Sequence, residues 1–447
     1  MSHSLYCVAG MGKTGLSIAR YLHRKKITFI AFDTRKEAPG LAQFKAEFPQ
    51  VALYLQEFPE QLINQLTDIV VSPGLTLDTS FLKRAIQSGV AVYGDVECLA
   101  REISAPVVAI TGTNGKSTVT TLVGEMAKAS GLKVAVAGNI GTPVLDILDD
   151  GPPYDLWVLE LSSFQLDLIY SLKPVVATIL NVTPDHLDRH HTLGAYLQAK
   201  QRVYHQTKVA LFHRGDTYTI PTGEYTFNTK CISFGIDAPA AGNWGLINQK
   251  DQIYLAKGQE CLLAVDSILI KGVHNWLNAL AACALAEAAS IPMYSILSVL
   301  QTFAGLPHRC QWVRSLGGVE WINDSKGTNV GATISAINGI GGSTQGKIVL
   351  IAGGQGKGAD FAALGTPIVN FVRSIVLIGE DADKIQASLA DVVPISRAYS
   401  LDNAVTMAKT QAKPGDVVLL SPACASLDMF RDFNHRGDMF IASVNGL

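Results

Sequence analysis

A chain of 447 residues that is 48% hydrophobic and 17% charged has room for two to four domains at about 100–200 residues each. Its net charge of −2 gives no global pull toward nucleic acid or an anionic membrane, and no apolar run reaches the roughly 18 residues that cross a bilayer. Seven scattered cysteines without a C-x-x-C pair argue against a disulfide framework or zinc ribbon, and MSHSLYCVAG lacks a signal-peptide pattern, so a cytoplasmic protein is expected.

The first segment, 1–95, opens with the strand-like LYCVAG and the turn Gly10-Met11-Gly12-Lys13-Thr14-Gly15. The helix-like LSIARYLHRK follows, then the strand ITFIAFD, which ends at Asp33. Strand, G-x-G-x-x-G, helix and an acid about 20 residues on form the dinucleotide fingerprint. Alone, it points to NAD with Asp33 on a ribose hydroxyl; the plainer alternative is a tight turn that packs helix on strand. A further strand ends at Val71 before the loop Ser72-Pro73-Gly74, and VAVYGD ends near Asp95.

The second segment, 96–305, carries PVVAI, then Ile110 to Thr118 (ITGTNGKST), then the helix-like VTTLVGEMAKA. A glycine loop between strand and helix turns backbone N–H groups toward a phosphate. Gly112, Thr113, Asn114 and Gly115 would form the cradle. Lys116 would reach the β/γ-phosphates, and Ser117 or Thr118 would hold Mg²⁺. The usual G-x-x-x-x-G-K-[ST] rule wants glycine where Ile110 stands.

Glu160 interrupts the apolar strand LWVLELSS, where an unpaired carboxylate is costly to bury. It reads as a Mg²⁺ ligand, or else as a capped structural acid. Pro184-Asp185-His186-Leu187-Asp188 follows the strand VVATILNV, and His186 there could bind metal or orient a phosphate. Together with His190 and His191 the cluster fits no strong zinc spacing, and those two read as a solvated loop. From about Lys208 to Lys271 the texture becomes β-rich, and an alanine-rich core helix, Trp276 to Ala289, closes the segment.

The third segment, 306–447, has strands ending at Asp324, Ala352, Ile378 and Ser421, each followed by glycine or small polar residues, as at ligand sites of parallel sheets. Gly353-Gly354-Gln355-Gly356-Lys357 resembles an anion-binding turn. With no Ser or Thr after Lys357, it suits a carboxylate or phosphate better than a second triphosphate. Cys424 in SPACAS has no evident His or Asp partner, which disfavours a covalent role. The alternation of short apolar runs with amphipathic stretches predicts an α/β fold with mainly parallel sheets.

GTNGKST, ELSSFQL, NVTPDHLDRH, the AK of LQAKQRVY, G-x-HN-x-x-NA (Gly272 to Ala279), LPHR, INDSKGTN, GGQGKGADF and LLSPACASLDMF resemble the Mur ligase family, in order and over the whole length. Within the family they are most similar to the branch that adds D-glutamate to UDP-N-acetylmuramoyl-L-alanine. The resemblance implies a Rossmann-like N-terminal domain for the UDP moiety, a central P-loop-type ATPase with a small β-rich part, and a Rossmann-like C-terminal domain for the amino acid. In the family the first glycine turn holds a UDP-sugar, not NAD, and Ile110 is unremarkable.

The implied reaction transfers the γ-phosphoryl group of ATP to the alanyl carboxylate, and the amine of D-glutamate then displaces phosphate. Carried over by motif, Lys13, Thr14, Asp33, Thr34, Arg35, Ser72, Asn139 and Ser162 would line the UDP-substrate site. Lys116 would neutralise the transferring group, with Asn275, Asn278, Arg309 and Asp324 also serving ATP. Two Mg²⁺ ions are implied, with Ser117, Glu160, His186 and Lys200 as ligands. Lys200 stands where the family has a lysine carbamylated by CO₂, a change that requires a neutral amine. His186, Lys326, Thr328, Lys357, Ser426, Leu427 and Phe433 would hold D-glutamate. Gln311 departs from the family's R-x-E. A monomer with mobile domains, without nucleic-acid or membrane partners, is expected. The competing readings are an NAD-dependent oxidoreductase, which leaves the triphosphate loop unused, and a nucleotide-switched binding protein, which leaves the third domain unused.

Overall fold

A computed structural model describes residues 4–148, 153–183, 186–226, 229–270, 272–342, 344–356, 358–389 and 392–447. The chain divides into two compact units. The first is Met1–Leu246 with Ala256–Glu260 and Leu280–Ile296; the second is Ile247–Leu255, Cys261–Ala279 and Leu297–Leu447. Three sheets underlie them, one in each expected segment.

The first sheet contains β1 (Leu5–Ala9), β2 (Phe29–Asp33), β3 (Leu53–Leu55), β4 (Leu66–Val71) and β5 (Ala91–Gly94), all parallel, in the order β3-β2-β1-β4-β5. Side chains alternate across a strand, so Val8, Ala31 and Val70 enter one core while Cys7, Ile30 and Ile69 enter another. Both faces are covered, which explains why β1 and β2 read as unbroken apolar runs. The chain reverses direction across the sheet between β1 and β4, and a crevice at such a switch point is where ligands bind.

The second sheet is built on β6 (Val107–Thr111), β7 (Val134–Gly138), β8 (Leu156–Glu160), β9 (Val176–Ile179), β10 (Val209–His213) and β11 (Lys230–Phe234). These run in the order β11-β10-β9-β6-β8-β7, all parallel. β12 (Trp244–Gln249), β13 (Gln252–Lys257) and β14 (Glu260–Ala264) extend the β11 edge, matching the expected β-rich part. Ala109, Trp157, Leu159 and Ala177 from this sheet share one continuous core with Val8, Ala31 and Val70 of the first. That common core places the first segment and most of the second in one compact unit, while Ile247–Leu255, Cys261–Ala279 and the chain from Leu297 on fall in the other.

The third sheet comprises β15 (Gln311–Leu316), β16 (Val319–Asn323), β17 (Ile348–Gly353), β18 (Val372–Ile378), β19 (Ile395–Arg397) and β20 (Val417–Leu420). Its order is β15-β16-β20-β17-β18-β19, parallel except for the β15–β16 hairpin. Leu350, Leu377 and Leu419 face one core, and Val349, Val376 and Val418 the other. The carboxyl ends of β16, β20 and β17 therefore lie side by side. The alanine-rich helix spans Val273–Ala288. Among the described residues, no helix is long and apolar enough to cross a membrane, and all seven cysteines are free thiols.

Asp95, only 3% exposed, opens the helix Asp95–Glu102, and its Oδ1 has no hydrogen-bond partner among the described residues. Burial pushes its carboxyl up to about 6, against the opposing pull of the Val96 N–H. The folded value lies above the unfolded one, so the protonated acid favours folding below about pH 4 and that advantage is lost as pH rises through about 6. The displacement corresponds to on the order of 3 kcal/mol. Asp95→Asn is therefore expected to raise the melting temperature at pH 8 and leave it nearly unchanged at pH 4. An equal change at both pH values in a thermal melt would contradict this.

Candidate active site

The loop Gly112–Gly115 leaves β6 and enters the helix Lys116–Ala129, whose first N–H groups have no intrahelical acceptors. Gly115 caps that helix at φ +81°, a backbone state that glycine reaches without strain. Asn181, just past β9, pins the loop: its Oδ1 accepts from Asn114 N at 2.8 Å and its Nδ2 donates to Asn114 O at 3.0 Å. Lys116 Nζ donates to the carbonyls of Gly112 and Thr113, each at 2.8 Å.

Lys200 lies on the helix Leu193–Gln201 and is 1% exposed. Its Nζ donates to the same Gly112 carbonyl at 2.8 Å and sits 4.5 Å over the Tyr196 ring. Tyr196 is one helical turn earlier, and its hydroxyl lies 3.2 Å from Thr113 Oγ1. One helix face thus delivers both side chains to the loop.

β8 pairs with β6 so that Glu160 stands opposite Ile110. Glu160 is 2% exposed; its Oε1 accepts from Asn139 Nδ2 at 2.9 Å, and its Oε2 has no hydrogen-bond partner among the described residues. A buried carboxylate oxygen left without a donor is costly unless a cation meets it. This fits Mg²⁺ held by Glu160 and the Ser117 hydroxyl at the head of the loop helix. Among the described residues, no three or more His, Cys, Asp or Glu converge as a metal cage. Mg²⁺ beside a triphosphate needs only one or two carboxylates, because the phosphates and water complete its shell.

His186 is exposed, at φ +52°, with its ring 5.0 Å from Phe164 and 6.3 Å from Tyr196. Pro184 and Asp185 of the same motif lie outside the described residues. His190 corrects the expectation of a solvated loop. The helical turn Leu187–His190 carries it back so that it stacks on Phe164 at 5.4 Å and Nε2 bonds Ser163 Oγ at 2.9 Å. His191 is exposed, as expected. Ser162 spends its side chain on a capping box with Gln165.

At the switch point of the first sheet, Gly10 has φ +95°, and a Cβ there would come within 2.9 Å of Ser72 Cβ. Glycine thus lets the β1 and β4 loops close on each other. Lys13, at the start of the helix after β1, and Thr34 and Arg35, just past β2, are exposed, and Thr14 is half-exposed. Asp33 does not match the NAD reading. Its oxygens accept from Met11 N (2.7 Å), Arg35 N (2.9 Å) and the Arg35 guanidinium (2.9 Å twice). Burial raises its carboxyl, but these donors prevail and hold it below the usual range. With about four acceptor positions filled, it has no free position for a ribose diol, and it acts as the anchor of Arg35 and the glycine turn.

Arg189, within NVTPDHLDRH, has no role in the expected site. It donates to the carbonyls of Pro73 (3.1 Å), Gly74 (3.3 Å) and Leu75 (2.8 Å) and stacks 4.3 Å from Phe164, tying the crevice loop to the loop that carries His186.

The second unit holds the remaining candidates. Asn275 is buried and accepts from Asn278 Nδ2 at 3.2 Å near the start of their helix. Asp324, at the end of β16, accepts from Ser421 Oγ (2.7 Å) and Cys310 N (3.2 Å), and burial pushes its carboxyl up to about 6. Arg309 is exposed, and Gln311 Oε1 accepts from His308 N at 3.1 Å. Lys326 Nζ lies 3.8 Å over the Phe433 ring; burial, then the charge of Arg309, lowers its pKa. Thr328 N donates to Lys326 O at 2.8 Å. Ser426 is buried and Leu427 is 61% exposed. Lys357 lies outside the described residues. Burial pushes the Cys424 thiol up to about 12, so no thiolate nucleophile forms near neutral pH.

Three family models match the chain: a Mur ligase MurD-like N-terminal domain over residues 4–94, a Mur ligase middle domain over 110–286, and a Mur ligase glutamate ligase domain over 308–424. A UDP-N-acetylmuramoylalanine–D-glutamate ligase of Legionella pneumophila (strain Paris) is 74% identical over 447 residues, covering 100% of both chains. The Pseudomonas aeruginosa protein of the same name is 47% identical over 440 residues, covering 98% of this chain and 97% of that one. Among solved structures, a UDP-N-acetylmuramate-alanine ligase from Thermotoga maritima superposes with TM-score 0.57 at 16% identity, covering 99% of each chain. That likeness shows the fold alone.

Proposed function

The chain belongs to the Mur ligase family, and from that premise we propose that it joins D-glutamate to UDP-N-acetylmuramoyl-L-alanine with cleavage of ATP to ADP and phosphate. The observation that carries this reading is the full-length identity to a D-glutamate ligase. The geometry supports the chemistry. A bare carboxylate repels an amine, and oxide is a poor leaving group. Phosphorylation of the alanyl carboxylate removes both obstacles, so the protein's share is positioning and charge neutralisation.

Lys116 follows the transferring phosphoryl group, and the helix N-terminus behind it stabilises the same charge. Mg²⁺ supplies further charge neutralisation, and Ser117, Glu160, His186 and a carbamylated Lys200 would hold it. The switch-point crevice, with Lys13, Thr14, Arg35 and Ser72, receives the UDP moiety, and Asn139, bonded to Glu160, serves the same substrate from the second sheet. Lys326, Thr328, Ser426, Leu427 and Phe433 receive D-glutamate, with segment boundaries near residues 95 and 305. The protein acts as a cytoplasmic monomer.

The test supplies ATP, Mg²⁺ and UDP-N-acetylmuramoyl-L-alanine and offers amino acids singly. Phosphate release with D-glutamate is expected. Release with L-glutamate or diaminopimelate, but not with D-glutamate, would overturn the specificity.

A further inference from the structure

Arg436 lies on the helix Phe433–Asn445 and is 0% exposed. Among the described residues its guanidinium makes four hydrogen bonds, all to neutral acceptors, with the charges of Asp428 and Asp324 acting from beyond bonding distance. Nε donates to Ser325 Oγ at 2.9 Å and Nη2 to Ser325 O at 2.8 Å, while Nη1 and Nη2 each donate to Cys424 O at 3.2 Å. Burial lowers its pKa to about 10, so it stays charged at neutral pH. An enclosed cation without a bonded carboxylate is expensive, and packing alone would be served better by an apolar side chain. What the charge and the fork secure is the arrangement around them.

Ser325 precedes Lys326, and its hydroxyl donates on to Phe433 O at 2.8 Å. Cys424 is two residues before Ser426. The intervening Ala425 exchanges two 2.9 Å backbone hydrogen bonds with Gln355, in the glycine turn that follows β17. One planar group therefore joins the loops after β16 and β20 and the helix that starts at Phe433. Through Ala425 it also holds the turn after β17.

We infer that Arg436 is a positioning residue of the amino-acid site: its fork sets the gap between the loop bearing Lys326 and the loop bearing Ser426, and so the affinity for the incoming dicarboxylic amino acid. The inference rests on the reading that this domain receives D-glutamate. A lysine keeps the charge but cannot bridge Ser325 and Cys424 with a planar fork.

The experiment measures steady-state kinetics of full-length Arg436→Lys, Ser325→Ala and the double variant, varying each substrate in turn. Arg436→Lys is expected to raise KM for D-glutamate about 10-fold or more while the KM values for ATP and the UDP substrate stay within about twofold. Ser325→Ala should move the same constant less, and the double variant should fall short of the product of the two effects, because they share one contact. A folded Arg436→Lys enzyme with an unmoved D-glutamate KM would overturn the inference, as would KM values that rise together for all three substrates. If Arg436→Lys does not fold, Ser325→Ala decides alone, and an unchanged D-glutamate KM overturns it. Absence of any D-glutamate-dependent phosphate release in the unsubstituted enzyme is a different result, and removes the proposed function together with this inference.

Discussion

Lys116→Ala is expected to lower kcat on the order of 10³-fold. The ammonium lies within the loop it serves, 2.8 Å from the Gly112 and Thr113 carbonyls, where phosphoryl charge would outcompete those neutral acceptors. The described acceptors of Lys116 both lie in its own loop, so the melting temperature should change little. Arginine should restore little, because its broad fork does not fit where a point charge at the head of a helix is needed. Activity within about tenfold of the original, in a folded Lys116→Ala enzyme, would remove the loop from the chemistry.

Lys200→Ala is expected to cost a similar factor, on the order of 10²–10³, and to regain part of it when a short carboxylic acid is added. Two ammonium groups, Lys116 and Lys200, meet at one carbonyl oxygen, and like charges so placed repel. Carbamylation would turn Lys200 into an anion, convert that repulsion into attraction and face Mg²⁺ with a second carboxylate-like arm beside Glu160. A small carboxylate diffusing into the space left by alanine would mimic that arm. A correctly folded Lys200→Ala enzyme that no carboxylic acid rescues would count against the carbamate.

Much of this site could be read in the sequence because it follows local rules. The phosphate loop shows as an apolar run, two glycines and a helix start. Glu160 shows because a carboxylate in a buried strand demands a partner. The two-face burial of β1, β6 and β17 shows as unbroken apolar residues. The features that were missed depend on distant partners. Asn181 and Arg189 act on residues roughly 70 and 115 positions away, and Arg436 bonds Ser325 across 111 positions; no local pattern encodes such pairs. Tyr196 could have been found, since it stands one turn before Lys200 on the same helix face. His190 departs from the expected solvated loop because the turn that brings it back to Phe164 follows a left-handed His186, which no local pattern announces. The first glycine turn gave its shape correctly, but its ligand depended on whether Asp33 was free, and Arg35, only two residues on, decides that.

Whether ATP activates the alanyl carboxylate as an acyl phosphate can be read from the path of oxygen. UDP-N-acetylmuramoyl-L-alanine is labelled with ¹⁸O in both carboxylate oxygens and turned over with ATP, Mg²⁺ and D-glutamate. One labelled oxygen attacks the γ-phosphorus as the bond to ADP breaks. When the amine attacks the acyl carbon, the C–O bond to that oxygen breaks and it leaves in phosphate. One ¹⁸O is expected in each phosphate released, and one retained in the new amide carbonyl. Label recovered in AMP with release of pyrophosphate, or phosphate free of label, would contradict the acyl phosphate.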